Sequence, residues 1–279
     1  MEVKVWFCMC IFLNWILLAS SYSRKLLYSV HNAIMEFDTD THNVTVLVEH
    51  GGDYVYAMDY DYKNRFIYFP RYNTRDIVRF PYSSKNITLQ TVIQSLSYPI
   101  GIAVDSTNDH LYWVDYNTHR LSRCSLNGSN RTVLSTLYHP IVIRVDVKNR
   151  WMYIVESLSG ISKSRFDLSE KRTIANFTSK PVYCMDIDPD EQRLYWINYN
   201  GDMKSAKDDG SDVKTILSTT PNTYYYAIGV IGSYIYYAKN NQLLMVSKTS
   251  ESTPTVLYND VNPIYSIFVF NASGMFITI

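Results

Sequence analysis

The sequence predicts an all-β fold: a six-bladed β-propeller of four-stranded blades, closed by a C-terminal inner strand. Three observations carry this. Tyr28, Tyr68, Tyr112, Tyr153, Tyr195 and Tyr236 recur at intervals of 40, 44, 41, 42 and 41 residues, each in a short apolar run (LLYSV, FIYFP, LYWVD, MYIVE, LYWIN, IYYAK). Most of these runs are followed by a polar loop, a second alternating strand, a polar or Gly-containing turn, and a run such as TVLS or TILS. The hydrophobic share of 47 % and the 25 tyrosines suit a β-rich core rather than disorder. A fixed period of this size with several short strands per unit marks one propeller blade per repeat.

The elements follow in order. Lys4 precedes an apolar run from Val5 to Ala19, broken by Asn14, and small residues follow at Ala19-Ser20-Ser21. That is the layout of a secretory signal peptide, expected over residues 1–23 with cleavage after Ser21 or Ser23. A bilayer span needs about 20 apolar residues, and no later stretch reaches that length, so no membrane anchor is expected after cleavage. Residues 24–279 then form the propeller. Blade 3 shows the unit most clearly: Ile100 to Asp105 as inner strand, Leu111 to Asp115 as the second, Leu121 to Leu126 as the third and Thr132 to Leu134 as the outer one. Asn127-Gly128 between the last two is a hairpin signal in which both residues can take positive φ, and Asp209-Gly210-Ser211 repeats it in blade 5. Inner strands end in an aspartate at Asp61, Asp105, Asp146 and Asp188. The chain reaches its first repeat at a second strand, so the inner strand of blade 1 is expected from Ile264 to Phe270.

Composition removes several function classes. With 26 basic and 26 acidic residues and no charge blocks, the chain lacks the clustered basic excess of a phosphate-binding surface, and no nucleic-acid partner is expected. The motifs of zinc hydrolases, nucleophile elbows, phosphate loops and Cys-x-x-Cys sites are missing from the mature chain, and the six histidines show no ligand spacing. Asp186, Asp188 and Asp190 alternate, which reads as one inner-strand residue and two loop residues rather than a cation site. No metal and no cofactor is expected. Cys8 and Cys10 leave with the leader; Cys124 and Cys184 lie a whole blade apart, too far for a disulfide, and should be unpaired and buried. Six Asn-x-Ser/Thr sequons, at Asn43, Asn86, Asn127, Asn130, Asn176 and Asn271, are expected on surface loops of a secreted glycoprotein.

The strings Leu-Tyr-Trp-Val-Asp, Leu-Ser-Arg-Cys-Ser-Leu-Asn-Gly-Ser and Gly-Ile-Ala-Val-Asp resemble the YWTD (class B) repeats of low-density-lipoprotein-receptor-related proteins, over residues 26 to about 270. The match is strong in blades 3 and 5. At the Asp115 position the other blades carry His31, Arg71, Glu156, Asn198 and Lys239, and at the Trp113 position Ser29, Phe69, Ile154, Trp196 and Tyr237. A basic third-strand residue survives as Arg79, Arg123 and Lys163. The resemblance implies a six-bladed propeller closed by a C-terminal strand and a role in binding extracellular proteins. Cysteine-rich modules that usually flank such propellers are not in this sequence, so a solitary propeller or a piece of a larger receptor is expected.

Two sets of residues stand out as sites. In register with Ala103 the blades present Asp59, Arg144, Asp186, Gly229 and Phe268, which puts Arg144 beside Asp186 near the axis, either as a structural ion pair or as part of a polar channel. On one face, the loops after the Tyr-containing strands and those leading to inner strands hold Arg71, Tyr72, Tyr98, Tyr116, His119, Tyr138, His139, Tyr199, Tyr224 to Tyr226 and Lys239, with Tyr54. Tyrosine and arginine are enriched at protein-binding hot spots, although some of these rings will pack between blades. The expected function is a secreted, monomeric, non-enzymatic binding module for an extracellular protein. The alternative is a secreted calcium-dependent hydrolase, for which only Asp59 and Asp186 offer axial carboxylates.

Overall fold

The structure, a computed structural model, describes residues 25–82, 87–177, 181–218, 227–249 and 252–270. The expected leader, Asn86, Tyr224 to Tyr226, Asn271 and Gly274 to Ile279 lie outside these residues.

Six antiparallel four-stranded sheets form a ring. Blade 1 contains β1 (Lys25–Ser29), β2 (Ala33–Asp38) and β3 (Val44–Glu49), and blade 2 runs β4 (Asp59–Asp61), β5 (Phe66–Arg71), β6 (Asp76–Pro81) and β7 (Gln90–Ile93). Blade 3 is β8 (Pro99–Asp105), β9 (His110–Asp115), β10 (Arg120–Ser125) and β11 (Thr132–Thr136). Blade 4 is β12 (Pro140–Asp146), β13 (Trp151–Glu156), β14 (Gly160–Arg165) and β15 (Arg172–Asn176). Blade 5 is β16 (Val182–Asp188), β17 (Arg193–Asn198), β18 (Met203–Lys207) and β19 (Lys214–Leu217); blade 6 is β20 (Ile228–Ile231), β21 (Tyr234–Lys239), β22 (Gln242–Ser247) and β23 (Thr255–Asn259). The last strand, β24 (Ser266–Val269), pairs antiparallel with β1 and supplies the inner strand of blade 1. No helix among the described residues is long and apolar enough to cross a membrane.

Side chains alternate faces along each strand, so every second strand offers one set of apolar residues to the blade before it and another to the blade after it. Six hydrophobic clusters result, one at each boundary. Tyr112 and Val114 of blade 3 meet Ile143, Met152 and Ile154 of blade 4, whereas Leu111 and Trp113 face Tyr68 and Ile77 of blade 2.

This packing corrects the phase of blade 1. Tyr68, Tyr112, Tyr153, Tyr195 and Tyr236 all face the following blade. The residue of β1 that faces blade 2 is Leu27, in a cluster with Ile67 and Phe69, while Tyr28 packs backwards onto Tyr236 and Leu243 of blade 6. Tyr28 therefore occupies the Trp113 position, Leu27 the repeat-tyrosine position and Val30, not His31, the Asp115 position. A one-residue slip in a period-two element exchanges the faces. Leu27 pairs with Phe268, so Phe268 keeps the register of Ala103.

The turns of the outer hairpins also differ from expectation. In Asn127-Gly128 only the glycine takes positive φ, at 86°. The N–H of Gly128 bonds back to the Ser125 carbonyl at 2.8 Å and that of Ser125 to the Ser129 carbonyl at 2.8 Å, a three-residue loop whose last residue is left-handed. Lys207 to Ser211 repeats it around Gly210, at φ 89°. The inner-strand aspartates order the opposite loops: Asp61, Asp105 and Asp146 each accept from the backbone N–H and side-chain amide of the asparagine three residues on.

Candidate functional site

The start of each inner strand and the end of each second strand lie on the same side of the ring, because the two run antiparallel. That side collects the tyrosines singled out in the sequence, and it divides into two halves.

Over blades 1 and 2 the rings pack on one another. Tyr54 stacks on Tyr56 at 5.8 Å between centroids and meets Tyr265 edge-on at 5.1 Å; Tyr56 meets Tyr72 at 5.6 Å, and Tyr72 meets Tyr98 at 4.9 Å. Arg75 lies over the Tyr98 ring at 4.4 Å and donates to its hydroxyl at 2.6 Å. The loop beneath is held by Asp53, whose carboxylate accepts from the backbone N–H groups of Tyr54, Asn73 and Thr74 and from the Thr74 hydroxyl; these bonds hold its pKa low against its burial. Arg71 is committed as well: it makes two hydrogen bonds to Asp76, at 2.9 and 2.5 Å, and a third to the His50 carbonyl at 3.2 Å.

Over blades 3 to 5 the large side chains stand in solvent. Tyr116, Tyr138 and Tyr199 are exposed, together with Leu158 and Tyr183, which the repeat pattern did not single out. Val261, after the outer strand of blade 6, is exposed to 93 %. His119 and His139 come from blades 3 and 4 and bring their rings to 4.5 Å, with Tyr138 4.7 Å and Tyr116 6.3 Å from His139. Lys239 ends β21 partly exposed.

The axis is polar but tight. Arg144 Nε donates to Asp186 Oδ1 at 3.1 Å, and its Nη1 to the Ile143 carbonyl. Asp186 Oδ2 accepts the N–H of Val230 at 2.8 Å, and Asp59 Oδ2 that of Val104 at 2.7 Å. Burial pushes Asp59 up to about 6, opposed by its hydrogen bonds and by nearby Arg144. The cavity at the mouth, lined by Tyr56, Arg144, Tyr183, Cys184 and Ser266, measures about 10 Å³, room for one water molecule. Cys124 and Cys184 are unpaired and buried, and burial raises both thiols to about 12, far from a reactive thiolate. Among the described residues no three His, Cys, Asp or Glu side chains stand together as a metal cluster.

The described sequons Asn43, Asn127, Asn130 and Asn176 are all exposed. The first three lie in or beside outer hairpins, on the side of the ring away from the tyrosines, and Asn176 ends the outer strand β15.

No family model matches the sequence. A chain in the crystal structure of a nidogen/laminin complex superposes with a TM-score of 0.78, covering 88 % of this chain and 98 % of that one, at 16 % sequence identity. That chain is a YWTD-type propeller, so the fold anticipated from the Leu-Tyr-Trp-Val-Asp repeats is the fold this chain has.

Proposed function

We propose that the propeller is a secreted binding module that engages an extracellular protein through the exposed half of its tyrosine-rich face, and that it catalyses no reaction. One observation carries this reading: Tyr116, Tyr138, Leu158, Tyr183 and Tyr199 are exposed on one face over three consecutive blades. Aromatic side chains with a polar tip bury large area at low entropic cost and serve as interface anchors. The likeness in fold to a chain from a nidogen/laminin complex supports a protein partner, with extracellular matrix proteins the first class to test. The leader-like residues 1–23 and the exposed sequons support export. The hydrolase alternative is less favoured. Its two axial carboxylates already accept backbone hydrogen bonds, the Arg144 charge opposes a cation, and the mouth has no room for a substrate.

The experiment is affinity capture of extracellular matrix proteins on the secreted full chain, followed by measurement with substituted chains. Tyr116→Ala and Tyr199→Ala should each weaken binding by about thirtyfold, near 2 kcal/mol, while Asn127→Ala and Asp209→Ala on the opposite side should not. Equal affinity in all four variants would remove the face from consideration. Calcium-dependent ester hydrolysis abolished by Asp186→Ala would overturn the binding reading.

A further inference from the structure

We propose that His119 and His139 form a two-histidine site for a divalent transition-metal ion, Cu2+ or Zn2+, on the rim of the tyrosine-rich face. The two residues are 20 apart in sequence and belong to different blades: His119 lies in the turn between β9 and β10, and His139 directly precedes β12. Their ring centroids are 4.5 Å apart with the planes tilted by 53°. With a metal–nitrogen bond of about 2.0–2.1 Å, two imidazoles that share one ion have centroids roughly 4.5–5.5 Å apart. The observed centroid separation lies at the lower end of that range.

Three further features suit the site to an ion. Among the described residues neither imidazole has a hydrogen-bond or ion-pair partner, yet neither is sealed off, in contrast to His50, whose two ring nitrogens are buried and unpaired. The backbones that carry the rings are fixed. The His119 carbonyl accepts from Leu137 N–H at 2.7 Å and that of His139 from Ser157 N–H at 3.0 Å, and both residues hold left-handed φ, 56° and 47°. Rings projected from fixed positions lose little freedom on binding. Finally, imidazole favours copper and zinc among divalent ions. No third protein ligand joins them among the described residues, so the remaining coordination positions belong to water and are open to a donor from a docked molecule. The site does not depend on the binding role proposed above, because the metal alone tests it.

The test is calorimetric titration of the untagged full chain with Cu2+ and with Zn2+, beside His119→Gln, His139→Gln, the double variant and His31→Gln. His31 lies on the same face, against Tyr54, and controls for scattered histidine binding. One ion per chain is expected. Each single substitution should weaken binding by about tenfold or more, since the second ligand no longer acts at high effective concentration, the double variant should not bind, and His31→Gln should match wild type. Paramagnetic resonance of the Cu2+-loaded chain should show two imidazole nitrogens in wild type and one in each single variant, a readout that a change in folding does not imitate. A wild-type chain that binds neither ion, single variants that bind like wild type, or a one-nitrogen wild-type spectrum would each overturn the assignment.

Discussion

Asp59 and Asp186 stand three blades apart on the ring and make the same contact: each carboxylate accepts the backbone N–H of the next blade's inner strand, from Val104 at 2.7 Å and Val230 at 2.8 Å. Asp186 is additionally held by Arg144 of the preceding blade. One side chain therefore ties blades 4, 5 and 6 at the axis, and its counterpart ties blades 2 and 3.

Removing one partner of a largely buried pair leaves the other charge uncompensated, which costs about 3–5 kcal/mol. Arg144→Met should lower the unfolding free energy by an amount in that range, reduced toward the low end by the partial exposure of the pair, and Arg144→Met with Asp186→Leu should cost less than the single change. Chemical denaturation of the three proteins decides this. Equal stability throughout would mean that the pair contributes nothing.

Asp59 gives a pH signature. Its pKa in the folded chain, about 6, lies above the ordinary carboxylate value because burial disfavours the charge. The folded state thus holds this proton more tightly than the unfolded state. The associated stability is present at low pH and is lost as pH rises through about 6, by roughly 1–3 kcal/mol in total. Asp59→Asn should flatten this part of the profile, so its stability relative to wild type should rise between pH 4 and pH 7.5. Parallel pH profiles for the two proteins would count against a raised Asp59.

Ending the chain after Asn262 removes β24 together with Ile264 and Ile267, which are buried against blades 1 and 6. Each buried aliphatic lost costs about 2–5 kcal/mol, so thermal melting should fall by well over 10 °C if folding survives. Melting at the full-chain temperature would refute the strand's role in closure.

The two halves of the tyrosine-rich face should respond differently to truncation. Tyr56 touches Tyr54, Tyr72 and Tyr265, and Tyr56→Ala should cost about 1–3 kcal/mol. Tyr199 is exposed, and Tyr199→Ala should stay within about 0.5 kcal/mol of wild type. Similar melting shifts for both would erase the distinction between a packed half and an open half.

Gly128 combines φ 86° with a close approach between blades: a Cβ there would stand 2.1 Å from the Val92 carbonyl oxygen of blade 2. Gly128→Ala should destabilise by more than about 1 kcal/mol, measured by denaturant midpoint, whereas Gly232→Ala, with nothing within 4 Å, should carry only the backbone penalty.

Much of the fold was legible because period-two alternation and a forty-residue repeat are one-dimensional signals. Cross-strand pairs such as Ala103 with Tyr112 and Arg144 with Tyr153 stand where the repeat puts them. Blade 1 is ambiguous in sequence, because Leu27 and Tyr28 are adjacent and both apolar; only the packing partner tells them apart. On the face, Tyr56 and Tyr183 were missed because they lie within or close to inner strands rather than in the loops. The alternation of Tyr54 and Tyr56 around fully buried Val55 is the signal that marks the first of them. The meeting of His119 with His139 was not legible, since sequence places both in neighbouring loops without fixing the directions of their rings. Arg71 looked available in sequence, and its partner Asp76 five residues on emerges only once the β5–β6 turn is built.

Each hydrophobic cluster being shared by two blades has a consequence for biosynthesis. A blade emerging from the ribosome finds half of its apolar surface uncovered until its successor arrives, and blade 1 waits longest, because its missing partner is β24 at Ser266–Val269. All the strands of blades 2 to 6 must be synthesised before the first blade is complete. During that interval β1 presents a bare hydrogen-bonding edge, the kind of surface that pairs wrongly with other chains. Vectorial synthesis therefore places the greatest demand for chaperone protection on the N-terminal blade, and substitutions in β24 should appear first as loss of folded yield rather than as altered behaviour of the molecules that do mature.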